Sequence, residues 1–532
     1  MSAGLAGQVA LWVTASASTA AALLLAGGAA LGRPRWLRWG RGLVLAAFAA
    51  ASAAAAVLLV SLARDDFSVR YVAQHSSRAT PLAYKLGAWW GGQEGSLLFW
   101  NWLLLAFTCL VATARLPVGL GRLWPVAMAV LMALAAFYGW MSAALESPFA
   151  ILQPPPADGA GLNPLLQSPS MLAHPVGLYL GYVGVSVPFA FMVAGLLLGQ
   201  PVSRWADLVR PWVLASWWFL GIGIVLGGEW AYNELGWGGF WAWDPVENAS
   251  LVPWLLLTAC VHGLVAGGRR RGLARWSVAC LAAAFVMVQV GTFVTRSGLL
   301  ASVHAFAQSP SGPWFLAFVG VAAAFSLWVV ATRWKLLAPQ PPGAPEREPA
   351  GGLGREGVLA AGNGVLAVLA FSVTVGTALP LLTRLVGPGI SVQAPYFERV
   401  SGPLFAAMLL LMALGLAAPW NPATPHWLSR LAPPATGGLL FVGLVAARPV
   451  SVPGGLSPGL LVAWACAFLA GGVALYQLVG GLRWRQAGGL LAHLGVAVLA
   501  VSISASIALR TRHVATLAPG QSMAVGAYTL RY

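Results

Sequence analysis

Four histidines stand where an imidazole does chemistry more readily than it fills space. His262 and His493 lie inside long apolar runs, and His174 and His304 lie beside the ends of others. A neutral imidazole binds a transition metal through one ring nitrogen while the other donates a hydrogen bond. An ionisable group held within hydrocarbon is costly and marks function by default. Between His174 and His304 comes the stretch Glu229-Trp-Ala-Tyr-Asn-Glu-Leu-Gly-Trp-Gly-Gly-Phe-Trp-Ala-Trp-Asp-Pro-Val-Glu-Asn248. It carries Trp230, Trp237, Trp241 and Trp243 with Phe240, and Gly236, Gly238 and Gly239 fall between the rings. A membrane-interface belt scatters its aromatics over many helix ends. Four tryptophans within fourteen residues suit instead a rigid apolar platform against which a flat macrocycle can lie. The segment from Asp244 to Glu247 has two readings. In one, Asp244 caps a helix, Pro245 takes its first turn and Glu247 bonds back. In the other, the carboxylates meet a ligand or a partner.

The elements that must position these groups are spanning helices. The chain has 532 residues, 59% hydrophobic and 8% charged, with a mean hydropathy of +0.78. Soluble chains carry about 25% charged residues, so this one lacks the polar surface to cover a water-soluble particle. Apolar runs of about 20 residues recur, each long enough to cross about 30 Å of hydrocarbon as a helix. The net charge is +16, from 30 basic and 14 acidic residues. Most of it sits in short loops between the runs, where it sets topology. It does not point to nucleic acid.

No basic residue precedes the first apolar run, and Arg33, Arg35, Arg38 and Arg41 follow it. That order describes a first spanning helix with its N-terminus outside, not a cleavable signal peptide. With this cluster inside, fourteen spans are expected, near 8–31, 43–63, 95–114, 124–144, 175–199, 211–229, 249–267, 276–295, 313–332, 357–380, 403–418, 435–447, 459–480 and 487–509. The inner loops then collect Arg115 with Arg122, Arg204 with Arg210, Arg269 to Arg271 with Arg275, Arg333 with Lys335 and Arg355, Arg430, and Arg483 with Arg485. The longer outer segments are 64–94, 145–174, 230–248, 296–312 and 381–402.

The expected fold is an all-α polytopic membrane bundle in two parts. Residues 1–332 form an N-terminal bundle that includes the outer tryptophan-rich loop 230–248, and 357–509 form a C-terminal bundle. A cytoplasmic linker rich in proline and glycine, 333–356, divides them. Residues 510–532 place a Pro-Gly turn between short alternating runs, the pattern of strands. They read as the start of a small extracytoplasmic β-rich domain. A lone two-strand fragment is hardly stable, so the natural chain is expected to continue.

Topology sorts the histidines by depth. His262 lies seven residues before Arg269, and His493 lies eight residues after Arg485. At 1.5 Å per residue each is roughly 10–12 Å from an inner basic cluster. One helix runs inward and the other outward, so the two imidazoles lie at similar depth. Two neutral imidazoles in an apolar bundle suit a bis-His b-type haem; the alternative is two unrelated histidines, each bonded to neighbouring backbone. His174, just before Pro175, and His304 fall at the outer face, on either side of the tryptophan loop in sequence. From position alone they fit equally a second, exchangeable ligand pair or two solvated loop residues. His75 and His513 on the outer side and His426 on the inner side read as solvated. Cys109, Cys260, Cys280 and Cys466 all lie in apolar runs with no Cys-x-x-Cys pair. No disulfide framework, thiol relay or c-type haem attachment motif is implied.

These residues carry a family resemblance. The stretch Trp237-Gly-Gly-Phe-Trp-Ala-Trp-Asp-Pro-Val-Glu-Asn248 resembles the tryptophan-rich "WWD" signature of haem-handling proteins. Four further stretches are similar to motifs of the CcmF-type cytochrome c maturation haem lyases. They are Tyr84-Lys-Leu-Gly-Ala-Trp-Trp-Gly-Gly-Gln-Glu-Gly-Ser96, then Asp158-Gly-Ala-Gly-Leu-Asn-Pro-Leu-Leu-Gln167 followed by His174-Pro-Val-Gly-Leu-Tyr-Leu-Gly-Tyr182, then Thr295-Arg-Ser-Gly-Leu-Leu-Ala-Ser-Val-His-Ala-Phe306, and Ala492-His-Leu-Gly-Val496. Phe240, Ala242 and Gln93 depart from the family pattern, which has tryptophan, an aromatic and histidine there.

The resemblance implies a bacterial inner-membrane protein with an extracytoplasmic active face. It implies that His174 and His304 ligate the iron of an incoming substrate haem over the tryptophan loop, with Trp230, Trp237, Trp241, Trp243, Phe240 and Asp244 around it. It implies that His262 and His493 hold a permanent b-haem, which reduces the incoming iron. The implied partners are a CcmE-type haem chaperone, an apocytochrome c with its Cys-x-x-Cys-His, and thioredoxin-like CcmH/CcmG-type proteins that present it. A quinol is the candidate electron donor. The family also implies an outer domain and a last spanning helix beyond residue 532, for fifteen helices in the intact chain. Arg296, eight residues before His304, is read as an exposed guanidinium able to steady haem propionates.

Two other classes compete with the lyase. A haem transporter or chaperone-loading protein would share the tryptophan loop without ligating haem, but would need only the outer site. A proton- or substrate-coupled transporter would need acidic groups at mid-membrane, and few are present.

Overall fold

The computed structural model describes residues 2–114, 121–235, 239–267, 273–306, 309–337, 354–390, 392–420, 424, 427–447, 457–480, 484–509, 513–526 and 528–532. Helices dominate it: α1 Ala3–Leu31, α2 Pro34–Ala63, α3 Arg70–His75, α4 Leu82–Gly91, α5 Gln93–Thr113, α6 Leu123–Trp140, α7 Pro169–Gly184, α8 Ser186–Leu197 and α9 Val202–Glu234. There follow α10 Pro245–Gly267, α11 Ala274–Ser297, α12 Gly312–Thr332, α13 Arg355–Arg384, α14 Ala394–Ala417, α15 Ala432–Ala447, α16 Pro458–Val479 and α17 Trp484–Leu509. The chain ends in an antiparallel hairpin of β1 Ser522–Val525 and β2 Tyr528–Arg531, with Val525 opposite Tyr528.

Thirteen helical spans among the described residues are long and apolar enough to cross a membrane, α7 and α8 together forming one of them, Pro169–Leu197. They coincide with thirteen of the fourteen expected spans. The exception is the run at 435–447, which forms α15. α15 covers Ala432–Ala447, and residues 448–456, which follow it, lie outside the described residues.

The chain forms two compact units, Met1–Leu404 and Phe405–Tyr532. The first therefore takes in α13, where Asn248 at the start of α10 donates to Thr377 Oγ1 at 3.0 Å. The expected linker 333–356 lies mostly outside the described residues. In the second unit α16 and α17 are joined by Trp464 Nε1, which donates to Ser504 Oγ at 2.8 Å.

Within the first unit a glycine seam joins the two helices that matter most. Gly177 and Gly181 of α7 face Gly223 and Leu220 of α9 so closely that a Cβ at Gly181 would stand 2.6 Å from the Leu220 nitrogen. Only small residues let two backbones approach this way. α7 begins at Pro169, so Pro175 lies inside the helix and does not open it. Proline has no N–H and frees the carbonyl one turn earlier. Trp90 Nε1 donates to that carbonyl, Met171 O, at 3.4 Å.

The segments expected on the outer side, 64–94 and 145–174, fold together. Arg70 N donates to Ala150 O at 2.7 Å, Leu152 N to Ser68 O at 2.8 Å, and Ala160 N to Ala73 O at 2.8 Å. His75, expected to be solvated, is half-buried here: its ring stacks on Tyr71 at 4.2 Å, and its Nδ1 meets Tyr71 O at 2.9 Å. Burial pushes this imidazole below its ordinary pKa. His513 is exposed as expected, and His426 lies outside the described residues.

Candidate functional site

α9 has 33 residues, about 50 Å of helix, and it outlasts the apolar run 211–229 at both ends. The tryptophan segment is accordingly shorter than expected. Trp230 stands on the last turns of α9, which ends at Glu234, and α10 begins at Pro245. Trp230 is 2% exposed, and its Nε1 donates to Leu165 O at 2.9 Å.

Both outer histidines gather on this ring. The His174 imidazole lies parallel to it with centroids 6.4 Å apart and planes at 7°. The His304 ring meets it edge-on at 5.4 Å and 63°. His174 sits over Gly227 of α9, where a Cβ would come within 2.4 Å of the imidazole. Its Nδ1 donates to Gly223 O at 2.7 Å. His304 Nδ1 lies 3.3 Å from Asp244 Oδ1.

A carbonyl or carboxylate oxygen can only accept, so each of these contacts places the ring proton on Nδ1 and leaves Nε2 with its lone pair. That is the tautomer an iron ligand needs. The donor chemistry therefore fits a haem iron, with an aromatic ring beside both ligands.

The loop itself is held on several sides. Phe240 stacks on Tyr232 at 4.4 Å. Trp241 meets Trp243 edge-on at 6.1 Å, and its Nε1 is buried without a hydrogen-bond partner. Trp243 takes a left-handed backbone, φ 58°, an uncommon conformation for a bulky residue that stores about 1–3 kcal/mol. Its ring stacks on Phe397 of α14 at 5.1 Å and 7°, and its carbonyl accepts from Asn248 Nδ2 at 3.1 Å. Trp237, Gly236 and Gly238 lie outside the described residues.

Asp244 and Glu247 form a capping box. Asp244 Oδ1 accepts from Val246 N at 2.9 Å, and Glu247 Oε2 accepts from Asp244 N at 3.1 Å and Ala242 N at 2.9 Å. Asp244 also accepts from Ser302 Oγ at 2.6 Å. Burial alone would push its carboxyl up. The hydrogen bonds from His304, Ser302 and Val246 N outweigh that and hold it below its ordinary value.

Arg296 is a correction. It is 2% exposed, not an exposed guanidinium. Its Nη1 donates to Gln93 O at 3.0 Å, and its plane lies near Phe306 and Phe315 at 5.5 and 5.9 Å. The segment after α11 folds back over it, since Phe306 N donates to Thr295 O at 2.9 Å. Ser309, bonded to Glu146, and Ser311, bonded by Gln93 Nε2 at 3.3 Å, fix the far end of this segment.

His262 is half-buried on α10, and its Nδ1 lies 2.9 Å from Thr258 O. Trp254, Thr258 and His262 follow at four-residue spacing on one helix face. Trp217 Nε1 donates to Thr258 Oγ1 at 2.8 Å and stacks on Trp254 at 5.8 Å. His493 belongs to the second unit, where its Nδ1 bonds Gly489 O of its own helix. Each ring therefore has the tautomer a haem ligand needs, and His262 shares its helix face with the aromatic ring of Trp254.

Sequence reasoning passed over Ser302, Asn248 and Phe397. Asn248 stood inside the tryptophan motif, and Ser302 two residues before His304 is the spacing of a hydroxyl turn, with His304 N donating to Ser302 Oγ at 3.0 Å. Phe397 left no local signal.

Residues 90–300 match the family described as cytochrome C assembly protein. The cytochrome c-type biogenesis protein CcmF of Pseudomonas aeruginosa is 38% identical over 531 residues, covering 94% of this chain and 77% of that protein. The chain belongs to the CcmF family. The CcmF of Escherichia coli is 37% identical over 496 residues, with 90% and 74% covered. A solved structure of the cytochrome c haem lyase CcmF superposes with a TM-score of 0.79 at 32% identity, over 99% of this chain and 81% of that one. As a CcmF family member the chain is a multi-pass membrane protein of c-type cytochrome maturation.

Proposed function

We propose that the chain is a haem lyase subunit of a bacterial inner membrane, with its active face extracytoplasmic. The observation that carries this is the convergence of His174 and His304 on Trp230, each with Nδ1 committed to an oxygen acceptor. The substrate haem arrives on a CcmE-type chaperone and is ligated by the two imidazoles beside Trp230, Trp241, Trp243 and Phe240, with Trp237 in the same loop. Thioredoxin-like CcmH/CcmG-type proteins present the Cys-x-x-Cys-His of the apocytochrome. Each thiol adds across a vinyl group: sulfur bonds one vinyl carbon, a proton goes to the other, and no net oxidation occurs. The iron is kept ferrous meanwhile. A b-haem on His262 and His493 supplies, when bound, one electron for that reduction, and a quinol is its candidate donor.

Purified protein given haem-loaded chaperone and a reduced Cys-x-x-Cys-His peptide should yield haem that stays with the peptide after acid–acetone extraction. Release of extractable haem alone would make the chain a transporter or loading protein.

The orientation is separately testable. Outer-side thiol labelling should reach a cysteine placed at position 240 and not one placed at 272. The reverse pattern would put the tryptophan loop in the wrong compartment.

A further inference from the structure

We infer that Asp244 is the positioning residue for His304, holding its imidazole by Nδ1 with Ser302 as the second point of attachment. The inference rests on the reading of His304 as a ligand of the substrate haem, and assigns the carboxylate a task beyond capping.

The argument starts from where each histidine gets its rigidity. His174 rides on a helix and bonds the backbone of a second helix, Gly223 O at 2.7 Å. His304 lies instead in the irregular segment between α11 and α12, where the Asp244 carboxylate stands 3.3 Å from its Nδ1 and Trp230 meets its ring edge-on.

Asp244 Oδ1 is itself well placed to be a fixed point. It accepts from Val246 N at 2.9 Å and Ser302 Oγ at 2.6 Å, and the aspartate's own backbone N–H is tied to Glu247 at 3.1 Å. Ser302 closes the loop, because its hydroxyl also accepts from His304 N at 3.0 Å. One carboxylate oxygen thus links the first turn of α10, the hydroxyl two residues before the ligand, and the ligand ring.

A carboxylate on Nδ1–H does two things for a ligand imidazole. It fixes the ring so that Nε2 faces the iron, and it makes Nε2 more electron-rich. Backbone capping alone requires neither. Asparagine caps a helix about as well as aspartate, and its carbonyl oxygen can accept the same hydrogen bonds. It lacks the negative charge. Asp244→Asn therefore separates the two roles, whereas Asp244→Ala removes both.

The experiment titrates ferric haem into the purified full-length protein carrying its resident haem, and follows binding and the midpoint potential of the added haem by difference absorbance. Asp244→Asn should weaken haem affinity about 10–100-fold, the range for outer partners of metal-ligating histidines. It should also raise the midpoint potential of the haem that still binds, because a less electron-rich ligand favours ferrous iron. Its thermal unfolding midpoint should match wild type. Ser302→Ala should lower affinity less and leave the potential near wild type.

If His304→Ala abolishes binding of the added haem while Asp244→Asn matches wild type in affinity and potential, the aspartate is only a cap and the inference falls. If His304→Ala itself binds haem as wild type does, the ligand assignment falls and takes the inference with it.

Discussion

Replacing His174 or His304 by alanine should abolish assembly of c-type cytochromes while leaving the b-haem spectrum of the purified protein largely intact. The two rings share the environment of Trp230, so on the proposed reading loss of either removes one of the two imidazoles that would hold the substrate haem. The effect should exceed the 10–100-fold typical of an outer-shell partner, so assembly should fall by more than about 100-fold. Haem-loaded chaperone should accumulate upstream, because delivery continues and acceptance does not. The measurements are haem staining of cytochromes in cells and a reduced-minus-oxidised spectrum of each variant. Normal assembly in either variant would return the outer histidines to ordinary loop residues. A loss of b-haem as complete as that from changing His262 would collapse the two proposed sites into one.

The second large effect concerns that b-haem. The purified protein should carry a low-spin bis-His haem that acid–acetone extracts, and His262→Ala and His493→Ala should each remove it. The two rings have the same internal arrangement: each donates Nδ1–H to a carbonyl one turn earlier on its own helix, Thr258 O and Gly489 O. That arrangement commits Nδ1 to the helix backbone and makes Nε2 the atom that would bind an iron. Loss of the haem in only one variant would refute the pairing.

The spans were legible because an apolar run of about 20 residues needs no tertiary knowledge to be read. Thirteen followed from that alone. The capping box at Asp244 and Glu247 was legible for the same local reason, since all its bonds lie within six residues of one another.

What escaped was decided by chain folding back on chain. Arg296 reads as exposed because it ends a helix on the outer side. It is buried because Phe306 returns to Thr295 and the carbonyl of Gln93, over 200 positions away in sequence, receives its guanidinium. His75 reads as solvated because nothing in segment 64–94 foretells that Tyr71 will stack on it. The tie from Asp244 to Ser302 and His304 joins segments 58 and 60 residues apart, and no periodicity records it.

The fastening of His174 has a consequence for turnover. Its ring is pinned to the backbone of α9 across a seam where three glycines and Leu220 bring the two helices into backbone contact. His304 is pinned by side chains on a segment without regular structure. The two jaws of the site are therefore unequal: one is built into the frame and the other hangs on a strap. A macrocycle that enters, reacts and departs needs one jaw to yield. On the proposed reading the fixed jaw sets where the iron stands, and the strap, freed by exchanging hydrogen bonds with water, decides when it leaves.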